Sequence, residues 1–128
     1  IIDGHSAVVQ LQFDNKVPKI SEILHIWENY KSIPQFLKLP TAPEFPIKYL
    51  YEDDRPQTSL DIFNHKGMAV SIGRLKNDKI FDVKFFSLSH NTIRGAAGGA
   101  ILVAELLYKQ NFLKNLWKIK LKLEQVLQ

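Results

Sequence analysis

The stretch "MAVSIGRLKNDKIFDVKFFSLSHNTIRGAAGGAILVAELL", Met68 to Leu107, decides the fold. Its first half reads as two strands, "MAVSIGRLKND" and "KIFDVKFFSLSH", joined by a tight turn at Asn77 and Asp78, which predicts a hairpin. The second strand is long and apolar from Phe81 to Leu88. The second half reads as a helix, with Ile101, Leu102 and Leu106 continuing it beyond a glycine-rich start. Gly95, Gly98 and Gly99 each cost a helix interior about 1 kcal/mol against alanine. With Ala96, Ala97 and Ala100 they leave two turns almost bare, so something must come close, either a neighbouring sheet packed tightly or a cofactor lying alongside.

Working outward, "SAVVQLQFD", Ser6 to Asp14, alternates and is rich in β-formers, which predicts a strand with His5 just ahead of it. Ile20, Ile23, Leu24 and Trp27 recur at helical spacing, and Pro18 suits a first helical turn, so Pro18 to Tyr30 is expected as an amphipathic helix. Pro34, Pro40, Pro43 and Pro46 crowd the next segment, which is expected to form an ordered loop. "IKYLYE", Ile47 to Glu52, reads as a strand, and "DDRPQTSLDIFNHKG" as a polar loop ending at Gly67. The order β-α-β-β-β-α predicts an α+β fold, a mixed or antiparallel sheet with helices on one face. The tail Lys114 to Gln128 fits strand and helix spacing alike, and its Lys, Leu, Glu and Gln favour helix.

The chain has 128 residues, the size of one domain or a piece of a larger protein. It contains no cysteine, so a disulfide, a thiolate metal site and a cysteine nucleophile are excluded within this sequence. No eighteen-residue apolar run or secretory leader is present, and a soluble cytoplasmic protein is expected. The net charge is +4, and four lysines against one glutamate place most of it in the tail. No basic face remains to argue for nucleic acid.

The four histidines differ in setting. His25, in the amphipathic helix, and His65, in the polar loop, read as structural or surface residues. No histidine pair has metal-ligand spacing, and no metal site is expected. His5 follows Gly4 in "DGHS" and stands at a sheet end, where an imidazole suits proton transfer near neutral pH. His90 and Asn91 fall where the long strand meets the last helix. Asn91 or Thr92 would make an N-cap, and an asparagine amide there could also hold a ligand's carboxamide or phosphate. Arg94 opposes the helix dipole in the first turn and should find an anionic or carbonyl partner.

Five motifs, "DGHS", "LPTAP", "DDRPQTSLD", "MAVSIGRLKND" and "SHNTIRGAAGGAILVAELL", occur here in this order and at these separations. From Ile1 to about Leu113 the chain resembles the C-terminal part of aspartate-semialdehyde dehydrogenases of the archaeal and fungal type. The archaeal malonyl-coenzyme A reductase shares several of the motifs. The resemblance implies a glyceraldehyde-3-phosphate-dehydrogenase-like C-terminal domain over residues 1–113, followed by an extra basic amphipathic tail, 114–128. It implies a homodimer, NADP as cofactor, and a Rossmann domain lying outside this sequence that carries the cysteine nucleophile and GxGxxG-like phosphate loop. His5 matches the catalytic histidine and Asn91 the contact to the nicotinamide end of NADP. "DRPQ" and "GRLKND" match motifs of loop shape and interface, and the small residues Gly95 to Ala100 match a helix that packs on the Rossmann domain. The arginine that holds the substrate carboxylate would fall ahead of Ile1. A stand-alone dimerisation module without catalysis is the other reading of the sequence. The chain by itself, given aspartate semialdehyde, phosphate and NADP, should produce no NADPH absorbance at 340 nm; a clear rate would contradict the requirement for an outside nucleophile.

Overall fold

The computed structural model describes residues 4–112; the tail 114–128 lies outside the described residues. A four-stranded mixed sheet forms the centre. Its strands are β1 (Gly4–Leu11), β2 (Ile47–Leu50), β3 (Val70–Asn77) and β4 (Val83–His90), in spatial order β1-β4-β3-β2. β1 and β3 both pair antiparallel with β4, and β2 runs parallel to β3. Helix α1 (Ile20–Asn29) follows β1, and one-turn helices α2 (Ile33–Phe36) and α3 (Thr58–Asp61) flank β2. A π-helical turn, Ile93–Ala97, leads into helix α4 (Gly98–Lys109), the last among the described residues. Among the described residues no helix is long and apolar enough to cross a membrane.

The ends of these elements differ from the sequence reading for local reasons. Pairing of Gly4 with His90 draws His5 into β1 rather than leaving it ahead of the strand. At the other end β1 stops at Leu11, and the Asp82 carboxylate takes the Phe13 N–H at 2.7 Å in place of a ladder partner. Pro18 precedes the N-cap of α1; the cap residue Lys19 instead has its N–H held by Glu22 Oε2 at 2.7 Å, a reciprocal helix start. The proline-rich segment contains α2, because Pro34 sits in its first turn, where no N–H is needed. The β3–β4 connection is a five-residue loop, 78–82, not a two-residue turn. Asp78 explains the difference. Its side chain accepts from Phe81 N and Gln10 Nε2 and pairs with Lys84 Nζ at 2.6 Å, offering the backbone an alternative to a tighter ladder.

One sheet face carries the apolar core. Ile23 of α1 is buried against Leu75 and Val83, with Trp27, Tyr49 and Phe85 around them. The Trp27 ring meets Phe85 edge-on at 4.9 Å between centroids. The expected amphipathic face of α1 is therefore the one that docks. The opposite face is covered by α3 and the loop before it, which the sequence reading left as an irregular polar segment. Ser71 Oγ donates to the Asp61 carbonyl oxygen, and Asn64 Nδ2 donates to Ser71 Oγ at 2.9 Å. Arg55 pairs with Asp61 through both ends of its guanidinium, its Nε lying 2.7 Å from Oδ2, and the Gln57 N–H adds a further bond of 2.7 Å. Asp61 is only 2% exposed. Burial alone would raise its carboxyl pKa, but the Arg55 guanidinium and the Gln57 N–H outweigh that and hold it below the ordinary carboxylate value.

The Arg55–Pro56 segment lies directly on β3 at Gly73. A Cβ there would come within 2.4 Å of the Arg55 carbonyl oxygen and 2.9 Å of Pro56 Cδ. The next residue, Arg74, has φ +57°, and the register shifts between Gly73 and Lys76, so β3 bulges where the loop presses on it. Gly73→Ala should lower stability in urea titration by about 1–3 kcal/mol, the ordinary cost of forcing extra volume against packed backbone. Asp61→Asn should cost about 2 kcal/mol through lost charge-assisted bonds. Because the Asp61 pKa is lowered on folding, its contribution is full above the ordinary value of 3.8 and fades as pH falls below it. The Asn variant should therefore be less sensitive to acid than the parent; equal acid midpoints would contradict this account.

Candidate functional site

The site is built where β1 and β4 end together. His5 pairs with Ser89, and Gly4 with His90. Side chains alternate along a strand, so His5, Ala7, Ser87 and Ser89 share the face that carries Val83 and Phe85 further along. That face is apolar and covered by α1 at one end and small and polar at the His5 end. His5 is exposed there, with no side chain larger than serine among its cross-strand neighbours on Ser87 and Ser89. The imidazole is thus open to its surroundings on this face.

Asn91 closes the corner. Its amide Nδ2 donates to the Gly4 carbonyl oxygen at 3.3 Å, tying the start of the last helix to the residue before His5. Asn91 is thus bonded to the residue next to His5 at one sheet end. The N-cap expectation does not hold. Thr92 makes no side-chain cap, and Asn91 is turned to β1. Instead the Ile93 N–H donates to His90 Nδ1 at 3.3 Å. Sequence reasoning passed over His90 in this role because histidine is an uncommon capping residue beside asparagine and threonine. Arg94 is half-buried and makes no hydrogen bond or ion pair with another described residue. Its expected anionic or carbonyl partner is therefore absent among the described residues.

Two bonds, from Ala97 N to Thr92 O and from Gly98 N to Ile93 O, each span five residues and define the π-turn. They also explain the glycines. A Cβ on Gly98 would meet Met68 Sδ at 2.5 Å and Ile93 O at 2.7 Å, and one on Gly99 would meet Arg94 O at 2.7 Å. The close approach at these two positions comes from the chain's own β3 entry and its own widened turn. Gly95 is different: its nearest neighbour would be His90 O at an ordinary 3.7 Å. Gly95, Ala96 and Ala97 are exposed.

A cleft of about 420 Å³ lies next to this turn, lined by the proline loop Pro40–Glu44, by His65, Lys66 and Met68, and by Ile93 and Gly98. His5 is not among its lining residues. Glu105 of α4 fixes its wall by accepting from Thr41 N at 3.0 Å and from Thr41 Oγ1 at 2.6 Å. The His65 ring is tilted against Phe45, with centroids 5.8 Å apart, and His25 is exposed on α1 beside Asn29. Among the described residues no three His, Asp or Glu side chains gather as a metal-binding group.

Residues 1–94 match the family model described as semialdehyde dehydrogenase, dimerisation domain. The chain belongs to the semialdehyde dehydrogenase family. Among known members of the family, aspartate-semialdehyde dehydrogenase of Schizosaccharomyces pombe is 43% identical over 116 residues, covering 88% of this chain and 32% of its own length. Malonyl CoA reductase (NADP) of Metallosphaera sedula is 46% identical over 116 residues, with the same two coverages. The structure of aspartate semialdehyde dehydrogenase with NADP from Candida albicans superposes with a TM-score of 0.80 at 38% identity, over 88% of this chain and 32% of that one. The chain thus spans about a third of the length of these relatives. The sheet and its helices are the C-terminal architecture of the family, as the motifs implied. Gly98→Ala should destabilise the domain by about 1–3 kcal/mol, whereas Gly95→Ala should be neutral or gain up to about 1 kcal/mol of helix propensity; thermal melts of the two variants side by side test the assignment.

Proposed function

We propose that this domain serves an NADP-dependent aspartate-semialdehyde dehydrogenase, in which it supplies the proton-handling histidine, a contact to the cofactor and the interface of a homodimer. The observation that carries the reading is the joining of His5 and Asn91 through Gly4 at one open sheet end. Fungal and archaeal relatives that bear this enzyme's name support it. The family's dimerisation-domain description supports the homodimer, and a cytoplasmic setting belongs to the same reading.

His5 acts as general base and acid. Its imidazole takes the proton of the thiol that the nucleotide-binding domain brings, and later handles the proton of the tetrahedral adduct. The small side chains Ala7, Ser87 and Ser89 leave room for that thiol and a short acyl group above the sheet. NADP, when bound, supplies the hydride chemistry. The residues present fit its nicotinamide end: among the described residues Asn91 bonds only through its Nδ2, leaving Oδ1 to accept from a carboxamide, and Gly95, Ala96 and Ala97 are small and exposed. Asn91 orients and His5 moves protons, two roles held one hydrogen bond apart.

The malonyl-coenzyme A reductase reading rests on the relative of 46% identity, which matches the same span of this chain. Both reactions place the same demands on His5. The complete protein, carrying this domain and its nucleotide-binding domain, should oxidise NADPH with aspartyl phosphate and not with malonyl-coenzyme A. His5→Asn should reduce kcat by about 10²–10⁴-fold with cofactor binding retained. Turnover of malonyl-coenzyme A alone would favour the second substrate, and an undiminished kcat would remove His5 from the chemistry.

A further inference from the structure

The proton chemistry described above leaves one buried imidazole without a task. His90 is 4% exposed. Its Nδ1 lies 3.3 Å from Ile93 N and 3.2 Å from Thr92 Oγ1. A backbone N–H can only donate, so Nδ1 presents a lone pair and the ring proton resides on Nε2. The ring has little freedom to turn. Phe63 packs against it edge-on at 5.1 Å, and a Cβ on Gly67, whose φ is +78°, would come within 3.2 Å of His90 Cδ2. A glycine is therefore needed at position 67 both for its backbone and for the imidazole beside it.

We propose that His90 is a positioning residue: its neutral, Nε2-protonated imidazole fixes the π-turn, and through that turn sets Asn91 and His5 for the dehydrogenase reaction. The chain of contacts is short. Nδ1 holds the Ile93 amide, two residues beyond Asn91. Asn91 holds the Gly4 carbonyl, and Gly4 faces His90 itself across the β1–β4 ladder. The loop closes on one ring, which bonds the turn on one side and belongs to the strand pair on the other. Substitutions that remove the acceptor should loosen Asn91 first and His5 through it. This role rests on the function proposed above for Asn91 and His5, while the tautomer and the cap stand apart from it.

Two variants separate the acceptor from the ring. His90→Phe keeps an aromatic group against Phe63 but has no acceptor, and His90→Asn offers an amide oxygen in a residue that caps well. In the 128-residue chain, imidazole ¹⁵N shifts should report the Nε2–H tautomer for His90. Exchange of the Ile93 amide proton should rise about fivefold in His90→Phe and stay near the parent value in His90→Asn. In the complete enzyme, His90→Phe should lower kcat/KM at least about tenfold, with a raised KM for NADP, and His90→Asn should restore most of it. An Nδ1-protonated ring would overturn the proposal, as would two equally impaired variants or a Phe variant with parental exchange and turnover. Should the Phe variant not fold, the tautomer of the parent and the turnover of the Asn variant decide. A complete parent enzyme without dehydrogenase activity would instead refute the functional reading and leave the cap to be judged by tautomer and exchange.

Discussion

The antiparallel ladder between β1 and β4 is the constraint on which the rest depends. Eight residue pairs, from Gly4 with His90 to Leu11 with Val83, join the start of the chain to the strand that precedes its last helix. Register in such a pair is all or nothing, since a slip of one residue turns every side chain to the other face. In the observed register Val83 and Phe85 meet α1, while His5 lies among alanine and serine. The same pairing delivers Gly4 to Asn91. Core and candidate site are therefore two ends of one ladder.

Two carboxylates secure that ladder from outside it. Asp78 joins β1 and β4 at the loop end through Gln10, Phe81 and Lys84. Its pairing with Lys84, against a smaller opposing effect of desolvation, holds its carboxyl far below the usual range. Asp61 anchors the loop that rests on Gly73 and so shapes the second face of the sheet. Neither is near His5 in the strand register, and both act by fixing loops whose sequences alone look polar and irregular. The family motif "DDRPQTSLD" acquires a physical meaning here: Arg55 and Asp61 are bonded to each other, Gln57 contributes its N–H, and the backbone of Arg55 presses on the strand below.

The strands and α1 were legible in the sequence because their signals are periodic and their burial is one-sided. Ile20, Ile23, Leu24 and Trp27 pack as their spacing requires. His5 and Asn91 were each singled out through motif resemblance, but the bond from Asn91 to the Gly4 carbonyl was not, since nothing local to either residue encodes a contact 87 positions apart. Among the features that escaped, three show why. The loop 78–82 was hidden because Asp78 side-chain bonds replace ladder bonds, and pattern reading counts only backbone periodicity. Helix α3 was hidden because its single turn is stabilised by Arg55 and Asp61 rather than by an apolar face. The role of the glycines was half seen: their bareness was plain, but the surface nearest Gly98 and Gly99 is the chain itself.

The π-turn also has a bearing on how this domain tolerates insertions and deletions. A π-turn amounts to one extra residue within a helix, and each α-helical residue turns the chain by about 100°. Relative to Asn91, every residue of α4 is displaced by that angle from where an unbroken α-helix would put it. Glu105 reaches Thr41 only in this phase. The length of the segment between the β4 end and α4 is thus a timing element: it keeps the proline loop and the Gly4 corner in step, and a change of one residue there would put the two out of phase without touching the core between α1 and the sheet.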